Sequence, residues 1–128
     1  MKVIFGIAGV ASLAVAMAAV AGPSAAQTSS AGERTFVMCK GCHTIDKGGR
    51  NGIGPNLSGL FGRAAGTAPG YTYSAAMKKS GLTWDEKTLD EFLAAPTKKV
   101  PGTKMPISVA DPAKRAALIA YLKSATAK

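Results

Sequence analysis

Both cysteines of this chain and its one histidine fall within five residues, Cys39-Lys40-Gly41-Cys42-His43. On a single helical turn, residues three and four apart share a face. The two thiols can then meet two vinyl groups of one porphyrin and form thioethers, while His43 turns its imidazole to the iron. C-x-x-C-H is the attachment pattern of c-type haem. A haem iron held by protein ligands is a redox centre whose potential follows ligand identity, burial and hydrogen bonding. A C-x-x-C pair also admits a thioredoxin-like redox motif, a disulfide of an exported protein, or half a zinc site. The first belongs in a βαβ context that this sequence lacks. The third lacks further cysteines and a second histidine. The disulfide stays open for an exported chain.

A six-coordinate haem needs a ligand opposite His43, and a chain with one histidine cannot supply a second imidazole. Met38, Met77 and Met105 are the thioethers beyond the first 26 residues. Met38 adjoins Cys39 and cannot reach the opposite face. Met77 falls on a short helical stretch, where methionine is more often core filler. Met105 sits in Val100-Pro101-Gly102-Thr103-Lys104-Met105-Pro106, a loop that two prolines and a glycine stiffen. A rigid loop presents a ligand without ordering cost, so Met105 is the expected sixth ligand. Thioether opposite imidazole raises the potential.

The elements that must position these groups read as helices and loops. Ser30-Ala31-Gly32-Glu33 has the form of a capping box and predicts the start of a first helix, with Phe36 and Val37 on its apolar side. Gly32 costs that helix stability, which close approach by another helix would justify. Residues 44–73 are rich in glycine and predict one long loop wrapped on the cofactor. Ser74 to Ser80 predicts a short helical turn stopped by Gly81. Thr83-Trp84-Asp85-Glu86 reads as a second capping box, for a helix through about Ala95 ended by Pro96. Asp111-Pro112 predicts an N-cap and first turn of a last helix, to about Ser124, with Leu118, Tyr121 and Leu122 as its apolar stripe. No run reads as a strand, and the fold class is all-α.

The chain opens with Met1-Lys2, an apolar stretch of 19 residues from Val3 to Ala21, and Ser24-Ala25-Ala26. That order is a secretory signal peptide with cleavage expected after Ala26, or after Ala19-Val20-Ala21. The competing reading is an uncleaved membrane anchor, for which the stretch is near the needed length. Residues 27–128 then form one domain, too small for a large core unaided; a covalent haem supplies an apolar plate to fold around. The expected location is the periplasm, tethered to the membrane if the leader is retained. Loss of Lys2 with the leader lowers the formal net charge from +9 to +8. Such a basic balance suits an acidic partner or a membrane surface. Nucleic acid is excluded as a partner: no helix-turn-helix, zinc finger or aromatic-basic interleaving is present.

A series of further segments keeps one order along the chain: Gly54-Pro55-Asn56-Leu57-Ser58-Gly59-Leu60-Phe61-Gly62-Arg63, Ala68-Pro69-Gly70-Tyr71-Thr72-Tyr73, Thr83-Trp84, Pro101-Gly102-Thr103-Lys104-Met105 and Leu118-Ile119-Ala120-Tyr121-Leu122. With the C-x-x-C-H motif, the chain resembles the class I cytochromes c, in the group of mitochondrial cytochrome c and bacterial cytochrome c2. The resemblance implies that the first and last helices cross and that loops wrap one covalent haem c. It implies that the Pro55 carbonyl takes a hydrogen bond from the ligand histidine. It gives Arg63, Tyr73 and Trp84 the role of bonding the haem propionates. Gly32 and Phe36 match the first helix where it meets the last. Three departures make the pocket less polar: Phe92 replaces a tyrosine that faces the methionine sulfur, Met77 an asparagine on an internal water, and Ile107 an aromatic. The Asp111-Pro112 lead into the last helix is one residue shorter.

The function this implies is one-electron transport, without enzymatic activity, by a periplasmic monomer whose haem iron keeps both axial sites filled. Lys40, Lys98, Lys99 and Lys104 would form a basic ring that steers acidic-surfaced redox partners. These would be a bc1-type complex, a terminal oxidase, a reaction centre or a dehydrogenase, in respiration, photosynthesis or small-molecule oxidation. The rival from another class is a haem enzyme or gas sensor, peroxidase-like, with Met105 displaced; no distal histidine exists to assist peroxide chemistry. A third reading is a haem-free exported interaction domain with a Cys39–Cys42 disulfide, which intact mass would separate at once.

Overall fold

Two helices from opposite ends of the chain cross, and the intervening segments fold back over them. The structure, a computed structural model, describes residues 6, 9, 11–22 and 24–127. Among these are five helices: α1 Ala25–Phe36, α2 Ala75–Lys79, α3 Glu86–Ala94, α4 Pro96–Lys99 and α5 Pro112–Ala125. The only strand-like pairing described is a single antiparallel bridge between Ala64 and Thr83, so the all-α reading agrees. Met1 and Lys2, the charged start of the expected leader, lie outside the described residues. Residues 11–22 are exposed and form no helix, and no described helix is long and apolar enough to cross a membrane.

The crossing of α1 and α5 rests on one missing side chain. A Cβ built on Gly32 would lie 2.1 Å from the Ala117 carbonyl oxygen and 2.5 Å from the Tyr121 Cβ. Only glycine permits that backbone approach. It lets Phe36, 1% exposed, stack against Tyr121 at 5.5 Å and pack into the core that holds Leu118, 0% exposed. The last helix starts as its sequence predicts: the Asp111 carboxylate accepts from the Ala113 and Lys114 amides, with Pro112 in the first turn. Likewise Ser74 caps α2, and Gly81 follows it at φ +68°.

Two helix starts differ from the sequence expectation. The N-cap of α1 is Ser24, not Ser30: its Oγ accepts from the Gln27 amide and the Gln27 side chain accepts from the Ser24 amide. A capping box with glutamine in the acid's place therefore outcompetes the Ser30–Glu33 box. Alanine and glutamine are good helix formers, and each residue added to an existing helix gains a hydrogen bond without a new nucleus. Ser30 ends up inside the helix, where its Oγ accepts from Arg34 at 2.7 Å. The N-cap of α3 is Asp85, not Thr83, and it accepts from the Thr88 amide at 2.7 Å. Thr83 and Trp84 are held extended by the loop: the Trp84 amide donates to the Arg63 carbonyl and the Gly62 amide to the Trp84 carbonyl. Pro96 ends α3 as expected and also opens the short α4.

Residues 44–73 form the long loop without a helix, and side-chain hydrogen bonds stand in for secondary structure. Asn56 Nδ2 donates to the Thr44 hydroxyl and the Asp46 carbonyl, and its Oδ1 accepts from the Ser58 amide. Asn51 and Tyr71 tie the loop across its width, to the Pro69 and Ile53 carbonyls. The Gly59 amide donates to the Thr126 carbonyl at 2.7 Å, which fastens the loop to the end of α5.

Candidate haem-binding site

The C-x-x-C-H segment continues α1 as turns rather than as α-helix. The Cys39 amide donates to Phe36, and the Cys42 and His43 amides both donate to the Cys39 carbonyl at 3.1 and 2.9 Å. That turn brings Cys39, Cys42 and His43 to one wall of a cleft of about 300 Å³ between the helix crossing and the loops. Burial, and then the neighbouring Cys42, push the Cys39 thiol above its ordinary value.

His43 is oriented from two sides. Its Nδ1 lies 2.8 Å from the Pro55 carbonyl oxygen. A carbonyl only accepts, so Nδ1 carries the proton and Nε2 keeps its lone pair. Burial lowers the His43 pKa, with the Pro55 bond opposing it; the balance keeps the ring neutral at pH 7, as metal ligation requires. The ring is also wedged against backbone: a Cβ on Gly54 would stand 2.3 Å from His43 Cε1.

Met38, Met77 and Met105 all line the cleft. Met38 shares the Cys39 turn and is 52% exposed, whereas Met77, 8% exposed, packs in the core from α2. Met105 is half-buried on the loop after α4, its amide held by the Thr103 hydroxyl at 3.3 Å. Trp84 and Phe92 are buried in the cleft wall with ring centroids 5.1 Å apart. The Tyr73 hydroxyl accepts from the Ala68 amide at 3.0 Å and faces Tyr71 edge-on.

Arg63 supplies the test of fit. Its Nη1 and Nη2 donate to the Ser58 and Asn56 carbonyls, while its buried Nε has no partner. A buried N–H left without an acceptor is costly unless a group meets it. Among the described residues, no carboxylate lines the cleft. An apolar, concave wall with an arginine awaiting an anion suits a flat apolar group bearing carboxylates, and haem with its propionates is such a group.

The four lysines expected to dock partners do not behave alike. Lys104 lines the cleft and donates to the Thr72 carbonyl at 3.0 Å. Lys99 is drawn into an ion pair with Glu91 of α3, and Lys40 and Lys98 are exposed. Sequence reasoning missed Asn56 as the hub of the loop, Gly54 as the rest for His43, and Arg115. The glycine-proline step at 54–55 was a legible signal for the second. Nothing local signals the partners of Asn56 or Arg115.

The family model described as "Cytochrome c" matches residues 29–126. Cytochrome c2 of Blastochloris viridis is 44% identical over 123 residues, 95% of this chain and 91% of its own. Cytochrome c of Sesamum indicum is 54% identical over 98 residues, 75% of this chain and 88% of its own. Among solved structures, cytochrome cH from Methylobacterium extorquens aligns with a TM-score of 0.70 at 52% identity, over 75% of this chain and 97% of that one. A match that runs from within α1 to the end of α5 at these identities means that the chain belongs to the cytochrome c family, electron-transport proteins that bind haem c covalently.

Proposed function

We infer that this chain is an exported one-electron carrier of the periplasm, without enzymatic activity, attached to its haem through Cys39 and Cys42. His43 and Met105 would hold the haem iron. When bound, haem c supplies an Fe(III)/Fe(II) couple, and imidazole–thioether ligation favours the reduced state. The observation that carries this reading is the free Nε2 of His43, set by Pro55, in a cleft that Met105 also lines.

The chain's own residues then have definite tasks. Pro55 and Gly54 fix the tautomer and tilt of His43. Arg63, with Tyr73 and Trp84, meets the propionates, which gives the buried Nε of Arg63 the acceptor it lacks. Phe36, Leu118, Phe92 and Met77 exclude water and lower the local dielectric, a lever on potential. Lys104 at the cleft, together with exposed Lys40 and Lys98, steers acidic redox proteins such as a bc1-type complex, a terminal oxidase, a reaction centre or a dehydrogenase. That attraction is an on-rate effect weakened by salt. Lys99 contributes less, because Glu91 already engages it. Residues 1–26 are the leader that directs export, and cleavage after Ala26 would take the Ser24 cap and the first two residues of α1 with it.

The test is an optical spectrum of the exported protein, oxidised and reduced. Sharp reduced bands, with the weak near-infrared sulfur-to-iron band in the oxidised form, are the expected result. Haem without the sulfur band would overturn Met105 ligation and favour an open-site haem enzyme or sensor. A chain recovered without haem would end the reading altogether.

A further inference from the structure

Met105 lies on a segment with no helix or strand, so what holds it in place must be found at the segment's two ends. Before it, the Thr103 amide donates to the Val100 carbonyl at 3.0 Å, and Lys104 reaches Thr72. After it, Pro106, Ile107 and Ser108 are exposed. The chain is caught again at Val109, 6% exposed, whose amide donates to the Leu93 carbonyl of α3 at 2.8 Å.

One side chain closes that far anchor. Arg115, in the first turns of α5, has Nη1 3.0 Å from the Val109 carbonyl oxygen and 2.9 Å from that of Ala110. Its Nε donates to Asp90 Oδ1 of α3 at 2.8 Å. The Arg115 side chain is only 12% exposed, against 47% for Asp90. One guanidinium thus ties α5, α3 and the returning segment together, using the forked donor geometry that lysine lacks.

We propose that Arg115 is a positioning residue for Met105, fixing the return of residues 106–110 and so how readily the thioether gives up its ligand position. The proposal rests on Met105 being the sixth ligand. Without the fork, the Val109 and Ala110 carbonyls lose a charged donor, and the far anchor is left to the burial of Val109 and its amide bond to Leu93. An external base then competes better for the position that Met105 holds.

The experiment titrates the haem-loaded protein with imidazole, in the wild type and in Arg115→Gln, Arg115→Lys and Asp90→Asn. Each is followed by its near-infrared sulfur band and its melting temperature. Arg115→Gln should bind imidazole on the order of tenfold more tightly, the equivalent of about one charge-assisted hydrogen bond. Arg115→Lys should fall between, and Asp90→Asn, which keeps the carbonyl fork, should stay near the wild type. Exchange of the Val109 amide should quicken in Arg115→Gln. An Arg115→Gln protein that melts earlier yet binds imidazole as the wild type does would overturn the proposal and leave Arg115 a purely structural clamp. Should Arg115→Gln fail to fold, an unshifted imidazole affinity in Arg115→Lys has the same meaning. A wild type without the sulfur band would instead sink Met105 ligation itself, and the positioning role with it.

Discussion

The α1–α5 crossing and the loops around the cleft are held by different forces. At the crossing, chain packs on chain: Gly32 admits the backbone of Ala117 and Phe36 packs against Tyr121, while Phe36, Leu118 and Leu122, buried in the core, also form part of the cleft lining. Around the cleft, apolar side chains face a space, and the backbone is held by side-chain donors such as Asn56, Arg63, Tyr71 and Arg115. The first region carries its own stabilisation. The second has hydrophobic surface that only a bound group can cover, so loss of haem and loss of core volume should damage different parts of the molecule.

The largest effect should come from Cys42→Ala, which leaves haem poorly retained. Haem-free protein is expected to lose amide protection first at Leu57, Gly62 and Ala65 of the loop, with residual protection confined to α1 and α5. Uniform loss of protection, measured by hydrogen exchange, would break the division into two regions.

Next in size is the helix crossing. Leu118→Ala should cost about 3 kcal/mol in a denaturant melt of the haem-loaded protein, as for a fully buried leucine in a tight core. Gly32→Val should cost about 2 kcal/mol or more, because its Cβ has a carbonyl oxygen in its path and backbone cannot yield as a side chain can. Neither change should remove the sulfur-to-iron band. A loss of that band at full folding would show that the crossing also sets ligation.

Met105→Ala should have the opposite profile: little change in helix content, but an iron open to external ligands, read by carbon monoxide binding. An unchanged spectrum would discard the ligand assignment.

The smallest effect is at Asp85. It is fully exposed, and its hydrogen bonds to the Thr88 amide and side chain hold its pKa below the ordinary 3.8. The cap's contribution is therefore complete above that value and is lost as pH falls through the lower folded value. Asp85→Asn should flatten only that acid limb of the stability curve, with stability at pH 7 nearly unchanged. A change at neutral pH of the same size would mean that the carboxylate does more than cap.

Much of the candidate site was legible because its chemistry is local. Cys39, Cys42 and His43 share one turn, and any compact turn brings them to one wall. Pro101 and Pro106 stiffen the Met105 loop through their fixed φ, and Gly102 permits the turn between them at φ +93°. Both Asp111 at α5 and Ser74 at α2 cap with groups two or three residues away. The helix starts at Ser24 and Asp85 were misjudged for two reasons. One was a choice between two nearby capping boxes. The other was pairing with a loop distant in sequence, which held Thr83 and Trp84 extended.

What the sequence by itself determined about this protein is the set of reactive groups, their spacing, and the helices whose signals lie within a turn of themselves. Which polar atoms meet far along the chain was settled by the folded arrangement: Arg63 with an unfilled Nε, Asn56 as the loop's hub, and Arg115 bridging Asp90, Val109 and Ala110. The reason is physical. Capping and turn formation cost little loop entropy and follow from neighbours, whereas a fork that joins residues 25 apart forms only after the chain has closed around the core.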